Sequence, residues 1–173
     1  AEDATDLDKG RSGKPALTDR MLGFANAVAE QVAEEFPEKL LLTLIYSVYR
    51  TPPKRVKLHP NVIAQFCTMT WAHVSDSVRK KELEMLAGIR DFTERRGIYD
   101  YFVNGVNGSM PRGFARTFGR SVRKYHELGC RYFATQAGFD FALGGFNYFL
   151  AGRILWDTTT EVEEVLEDYC VSG

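Results

Sequence analysis

Four short apolar runs constrain this chain more than any other feature: Leu40–Tyr46, Asn61–Cys67, Ile98–Val103 and Cys130–Thr135. The first, Leu40-Leu41-Leu42-Thr43-Leu44-Ile45-Tyr46, is apolar almost without alternation, as a strand covered on both faces reads. Around the runs, apolar residues recur at three and four, the period of an amphipathic helix. Met21, Ala25, Val28, Val32 and Phe36 mark a first helix. Thr18 is its expected N-cap, Asp19 sits in its first turn and Pro37 stops it. Val78, Met85, Ile89 and Phe92 mark a second, expected to close at Arg95-Arg96-Gly97. Phe114, Phe118, Val122, Tyr125 and Leu128 mark a third, closed by Gly129. A Gly-rich loop (Gly138, Gly144, Gly145) then leads to a helix over Phe146–Trp156. Thr160-Glu161-Val162-Glu163 opens the last helix as a capping box, with Val162, Val165, Leu166 and Tyr169 facing inward.

The order is helix, strand, strand, helix, strand, helix, strand, helix, helix. Such alternation predicts an α/β fold with parallel strands and helical crossovers. The later strands start roughly 33 residues apart, the length of one βα unit. The link from Ser47 to Pro60 carries Pro52 and Pro53 and no helical period, so an extended crossover is expected there. Residues 1–17, with Gly10, Gly13 and Pro15, read as a loop or linker, and 18–173 as the folded domain. Four parallel strands fit two architectures. One is half of a TIM-type (β/α)8 barrel, about four βα units; the other is an open, doubly wound four-stranded parallel sheet. Both place function at the carboxyl ends of the strands.

Composition narrows the partners. The 173 residues are 45% hydrophobic and 26% charged, and 22 Lys+Arg against 23 Asp+Glu leave a net charge of −1. That balance argues against a nucleic-acid surface. The sequence contains no apolar run of about 18 residues, so no membrane-spanning helix is expected. Cys67, Cys130 and Cys170 are too few for a disulfide scaffold, and with the 3 His they form no spaced metal motif. P-loop, dinucleotide and Gly-x-Ser-x-Gly patterns are missing, so neither metal nor cofactor is expected.

Longer motifs add a resemblance. Leu17-Thr18-Asp19-Arg20-Met21-Leu22-Gly23-Phe24-Ala25-Asn26-Ala27-Val28-Ala29-Glu30 precedes a strand ending Ile45-Tyr46-Ser47-Val48-Tyr49-Arg50-Thr51-Pro52-Pro53. Asn61-Val62-Ile63 and Tyr99-Asp100-Tyr101 follow, and Arg153-Ile154-Leu155-Trp156-Asp157 comes before an acidic terminal helix. This set resembles the glycoside-hydrolase-like barrel domains of bacterial carbohydrate-active proteins, which are distantly similar to α-glucuronidase and β-hexosaminidase barrels. The resemblance implies strands five to eight of a barrel, with the remainder of the barrel supplied by the parent chain. It implies carbohydrate as the partner and glycosidic-bond hydrolysis by the full barrel, with the fragment alone inactive. A secreted or periplasmic location is implied as well. In that family a Cys-rich loop precedes the Asp-Arg-Met-Leu helix, whereas residues 1–16 here contain no Cys.

The candidate site residues follow the predicted strands. Tyr46 and Tyr49 end the first, as sugar-stacking rings or as ordinary strand-end tyrosines. Trp71 and His73 follow the second; His73 would donate to a ligand hydroxyl or carboxylate, and the alternative is a Trp covering the barrel rim. Tyr101 and Asn104, the latter in Asn104-Gly105-Val106-Asn107-Gly108, follow the third, with turn chemistry as the alternative for the Asn-Gly pairs. Gln136 follows the fourth as a ligand hydrogen-bonder. Asp100 is the only acid inside a predicted strand and is the catalytic candidate. Alternation points it the same way as Ile98 and Phe102. An apolar setting would raise its pKa and suit a general acid; the alternative is a structural pair with Arg131. Hydrolysis needs two facing carboxylates, and the second is expected outside this chain. Arg112, Arg116, Arg120 and Arg123 read as the solvated face of one helix. Competing readings are a non-catalytic carbohydrate-binding or scaffolding barrel and an open α/β domain that binds a small molecule.

Overall fold

A computed structural model of the chain describes residues 17–102, 113–136 and 141–172. Its elements are α1 (Thr18–Glu35), β1 (Leu41–Ile45), a 3₁₀ helix at Ser47–Tyr49, β2 (Val62–Thr68), a 3₁₀ helix at Thr70–Val74, α2 (Asp76–Ile89), β3 (Arg96–Asp100), α3 (Ala115–Glu127), β4 (Cys130–Thr135), α4 (Phe141–Trp156) and α5 (Val162–Ser172). The strands form one all-parallel sheet in the order β1-β2-β3-β4. The fold is therefore α/β, and its strand order runs straight through, without the reversal that defines a doubly wound sheet. The chain divides into two compact units. One comprises Ala1–Cys67, Glu84–Tyr99 and Cys130–Ala134; the other comprises Thr68–Leu83, Asp100–Gly129 and Thr135–Gly173.

In the first unit, β1 pairs with β2 from Leu41↔Val62 to Ile45↔Phe66. Alternation puts Thr43 and Ile45 on one face with Ala64 and Phe66, all of them buried. Leu22 and Ala29 of α1 join that apolar core, and the Arg50 guanidinium lies 4.5 Å over the Phe66 ring. The other face carries Leu42, which is 53% exposed, paired with Ile63, and Leu44, paired with buried Gln65 of β2. The crossover after β1 opens with the 3₁₀ turn at Ser47–Tyr49, which the sequence did not show, and then runs to Pro60 without helix or strand, held by polar side chains of α1. Asp19 accepts the backbone N–H groups of Lys54, Arg55 and Val56 at 3.2, 3.0 and 3.0 Å. Asn26 donates to the Lys57 carbonyl and accepts the His59 N–H, both at 2.8 Å.

Three local expectations are corrected in this unit. The N-cap of α1 is Leu17; Thr18 lies inside the helix with its hydroxyl 3.2 Å from that of Thr51. α2 ends at Ile89, so Arg95-Arg96-Gly97 does not close it. Arg96 and Gly97 instead begin β3, ahead of the expected start at Ile98. Gly97 is there because β4 comes close: a Cβ on it would stand 2.8 Å from both Cβ and the carbonyl oxygen of Tyr132.

In the second unit, Phe102 gathers Phe114, Phe118 and Tyr148 at centroid distances of 5.3, 5.2 and 5.4 Å. Gly119 of α3 lets Val162 of α5 approach its backbone. The described arginines of α3 face solvent, Arg116 and Arg120 exposed and Arg123 half-buried, and they are paired there. Arg116 makes a bidentate pair with Glu163 at 2.7 and 2.9 Å. Arg123 donates to the carbonyls of Thr158 and Thr160 and to Glu161, and Arg120 donates to the His73 carbonyl. Arg112 lies outside the described residues. Glu163 thus spends its carboxylate on Arg116 rather than on a capping box, and α5 begins at Val162. α4 begins at Phe141, so Gly144 and Gly145 belong to the helix and not to a loop before it; Gly138 lies outside the described residues. Gly129, at φ 83°, follows α3 as expected.

Candidate functional site

The carboxyl ends of β2 and β3 meet in a buried polar cluster of the second unit. β2 ends at Thr68 and β3 at Asp100, and the Tyr101 N–H donates to the Thr68 carbonyl at 3.3 Å. Asp100 has no exposed surface. Its Oδ1 accepts the backbone N–H groups of Thr70 at 3.0 Å and Tyr101 at 2.8 Å. Among the described residues its Oδ2 has no hydrogen-bond partner. Burial pushes the Asp100 carboxyl up to about 6, against the opposing pull of its bonds to Thr70 and Tyr101 and of the His73 charge.

A second carboxylate lies close by in the same unit. Glu82 of α2, also buried, accepts His73 Nε2 at 3.0 Å, and the Thr68 hydroxyl donates to the same oxygen. His73 Nδ1 is 3.0 Å from the Ser121 hydroxyl on α3. The Thr70 hydroxyl is 2.9 Å from the Tyr125 hydroxyl, whose phenol burial raises well above the ordinary tyrosine range. The string Ser121–His73–Glu82 has the connectivity of nucleophile, base and acid. Ser121 and His73 are fully buried, however, so the string is closed to substrate and serves to position the Thr70–Val74 turn.

Asp100, His73, Trp71 and Tyr101 are therefore brought into one neighbourhood. Trp71 and Tyr101 are half-buried, whereas the His73 ring is wholly enclosed by protein partners. Arg131, the structural alternative as partner of Asp100, belongs to the first unit, where it is exposed and donates to the Cys130 carbonyl. Gln136 is half-buried, its carbonyl accepting the Tyr148 hydroxyl at 2.8 Å. Tyr46, 45% exposed, and half-buried Tyr49 follow β1 in the first unit. Asn104, with the rest of its Asn-Gly loop, lies outside the described residues.

Sequence reasoning missed Glu82, Thr70 and Ser121, and took Tyr125 only for its apolar ring. Glu82 did leave a signal. It falls four residues after Val78 and four before Leu86, on the inward stripe of α2, where an unpartnered acid would be costly.

A cavity of about 650 Å³ lies in the first unit at the amino ends of β2, β3 and β4, lined by Lys57, His59, Arg90, Arg95, Arg131 and Tyr132 among others. That is the end of a parallel sheet where conserved architecture, rather than chemistry, is normally found. Among the described residues no group of three or more His, Cys, Asp and Glu could hold a metal ion. No described helix is long and apolar enough to cross a membrane.

Residues 2–173 match the family described as a domain of unknown function, DUF4838, and the chain belongs to that family. Comparison with curated proteins and with solved structures gives no match.

Proposed function

We propose that this chain is the carbohydrate-binding part of a glycoside-hydrolase-like barrel, its sheet completed by the remaining βα units of a parent chain. The observation that carries this reading is the double hydrogen bond of Asp100. By taking the N–H groups of both Thr70 and Tyr101, it fixes two segments that bear half-buried aromatic rings, Trp71 and Tyr101, just past the carboxyl ends of β2 and β3. Flat rings held in this way suit the apolar faces of pyranoses. The unreversed order β1-β2-β3-β4 is the order of successive barrel units and supports the same reading.

A second reading makes Asp100 itself the proton donor in hydrolysis, favoured by its pKa of about 6, which suits a general acid at neutral pH. Glycoside hydrolysis needs a second carboxylate, and Glu82 is already committed to His73 and Thr68.

The full-length parent, assayed on aryl glycosides and uronides and titrated with oligosaccharides, separates the two. Trp71→Ala and Tyr101→Ala are each expected to weaken oligosaccharide binding about tenfold or more, the loss of roughly 1.4 kcal/mol of stacking, with the melting temperature kept. Unchanged affinity in both variants overturns the binding reading. Wild-type turnover in Asp100→Asn removes Asp100 from the chemistry.

A further inference from the structure

The buried cluster puts Asp100, His73, Glu82 and Tyr125 together and ties them through Thr68, Thr70 and Ser121. Its two carboxylates are held differently. Glu82 has a histidine ring nitrogen and a hydroxyl. Asp100 has two backbone N–H groups and, among the described residues, no Lys or Arg side chain. The charged groups on the surrounding elements are engaged elsewhere. Asp76 and Arg79 of α2 pair at 3.0 Å, and Arg120 of α3 lies 3.8 Å from Asp76 while donating to the His73 carbonyl.

One of the two donors to Asp100, the Thr70 N–H, opens the 3₁₀ helix Thr70–Val74, which carries both Trp71 and His73. A carboxylate accepts such bonds about twice as strongly as a neutral carboxyl group. The strength of this tie therefore depends on one proton. We propose that the cluster is a proton-operated latch: ionised Asp100 fastens the Thr70–Val74 turn to the end of β3, and protonation loosens that fastening and shifts Trp71. His73, gripped by Glu82 and Ser121, is the pivot that keeps the turn attached in both states.

The chain contains two tryptophans, and Trp156 is 93% exposed. Trp156→Phe therefore leaves Trp71 as the only indole at little structural cost. Its emission is recorded from pH 4.5 to 8 beside far-UV circular dichroism. The expected result is a one-proton change in emission wavelength with a midpoint near 6 at constant secondary structure, and its disappearance in Trp156→Phe/Asp100→Asn. Emission that stays constant overturns the latch, as does a transition that survives Asp100→Asn or one that coincides with unfolding. If the double variant fails to fold, carboxyl ¹³C spectra of aspartate-labelled Trp156→Phe protein decide the matter. A carboxyl resonance must titrate with the same midpoint as the indole, and unmatched midpoints overturn the proposal. No carbohydrate enters the measurement, so the latch stands or falls separately from the binding reading.

Discussion

An acid buried without a cation should cost stability, and the sign of that cost is measurable at Asp100. Its folded-state pKa is raised from 3.8 to about 6. The contribution to stability is therefore fully present below about pH 4 and is lost as pH rises through about 6, a change on the order of 3 kcal/mol. Urea unfolding at a series of pH values should show this loss in the wild type and a flatter profile in Asp100→Asn. Parallel profiles would show that Asp100 does not titrate in the folded protein. Asp19 carries the opposite sign. Partial burial works to raise its pKa, but the N–H groups of Arg55, Val56 and Lys54 outweigh it and hold the carboxyl below the usual value. Its contribution is present above the unfolded-state pKa and is lost as pH falls through the depressed folded value. Asp19→Ala should cost about 1–2 kcal/mol at pH 7 and progressively less as pH falls below the unfolded-state pKa, read from the same urea curves; a loss that does not change with pH would sink the assignment. Asp100 was legible in the sequence because acids are rare inside apolar strands. The role of Glu82 was harder to read, because an acid on a helix is normally solvated and its partners His73 and Thr68 lie 9 and 14 positions earlier in the chain, on other elements.

Elements were legible where periodicity is strong and obscure where glycine intervenes. The order of helices and strands follows directly from the apolar spacing, and α1, β1, β2, α3 and β4 lie close to where it puts them. Arg95-Arg96-Gly97 reads like the last turn and stop of a helix, yet Gly97 serves packing between strands, which local sequence does not encode. Gly144 and Gly145 imitate a loop in sequence, yet both lie within α4. Gly97→Ala should therefore destabilise by about 1–3 kcal/mol through a forced shift against Tyr132. Gly119→Ala should cost a similar amount by pressing on Val162, and Val162→Ala should recover part of that loss in the double variant. Additive losses in a thermal-melt double-mutant cycle would show that the two sites do not meet.

At the scale of the molecule, the sequence foretold a parallel sheet but neither its strand order nor which sheet face is covered, because Leu41, Leu42 and Leu44 are chemically alike. The structure distinguishes them: Leu42 is half-exposed while Thr43 and Ile45 are buried. β1 and β4 are the outer strands of the described sheet, and outer strands with exposed apolar neighbours favour pairing between chains. The isolated chain should self-associate in sedimentation velocity, and Leu42→Glu should reduce this without lowering the melting temperature. A wild type that stays monomeric at high concentration would count against an incomplete barrel. The placement of the thiols has a consequence of its own. Cys67 in β2 and Cys130 in β4 are buried, and burial pushes the Cys130 thiol up to about 11, while Cys170 on α5 is exposed. An alkylating reagent at neutral pH will take Cys170 at once and reach the other two only when strands part. Each molecule thus carries one thiol that reports its presence and two that time the opening of its sheet, so a mass spectrum of timed alkylation counts separately the chains that have breathed and those that have not.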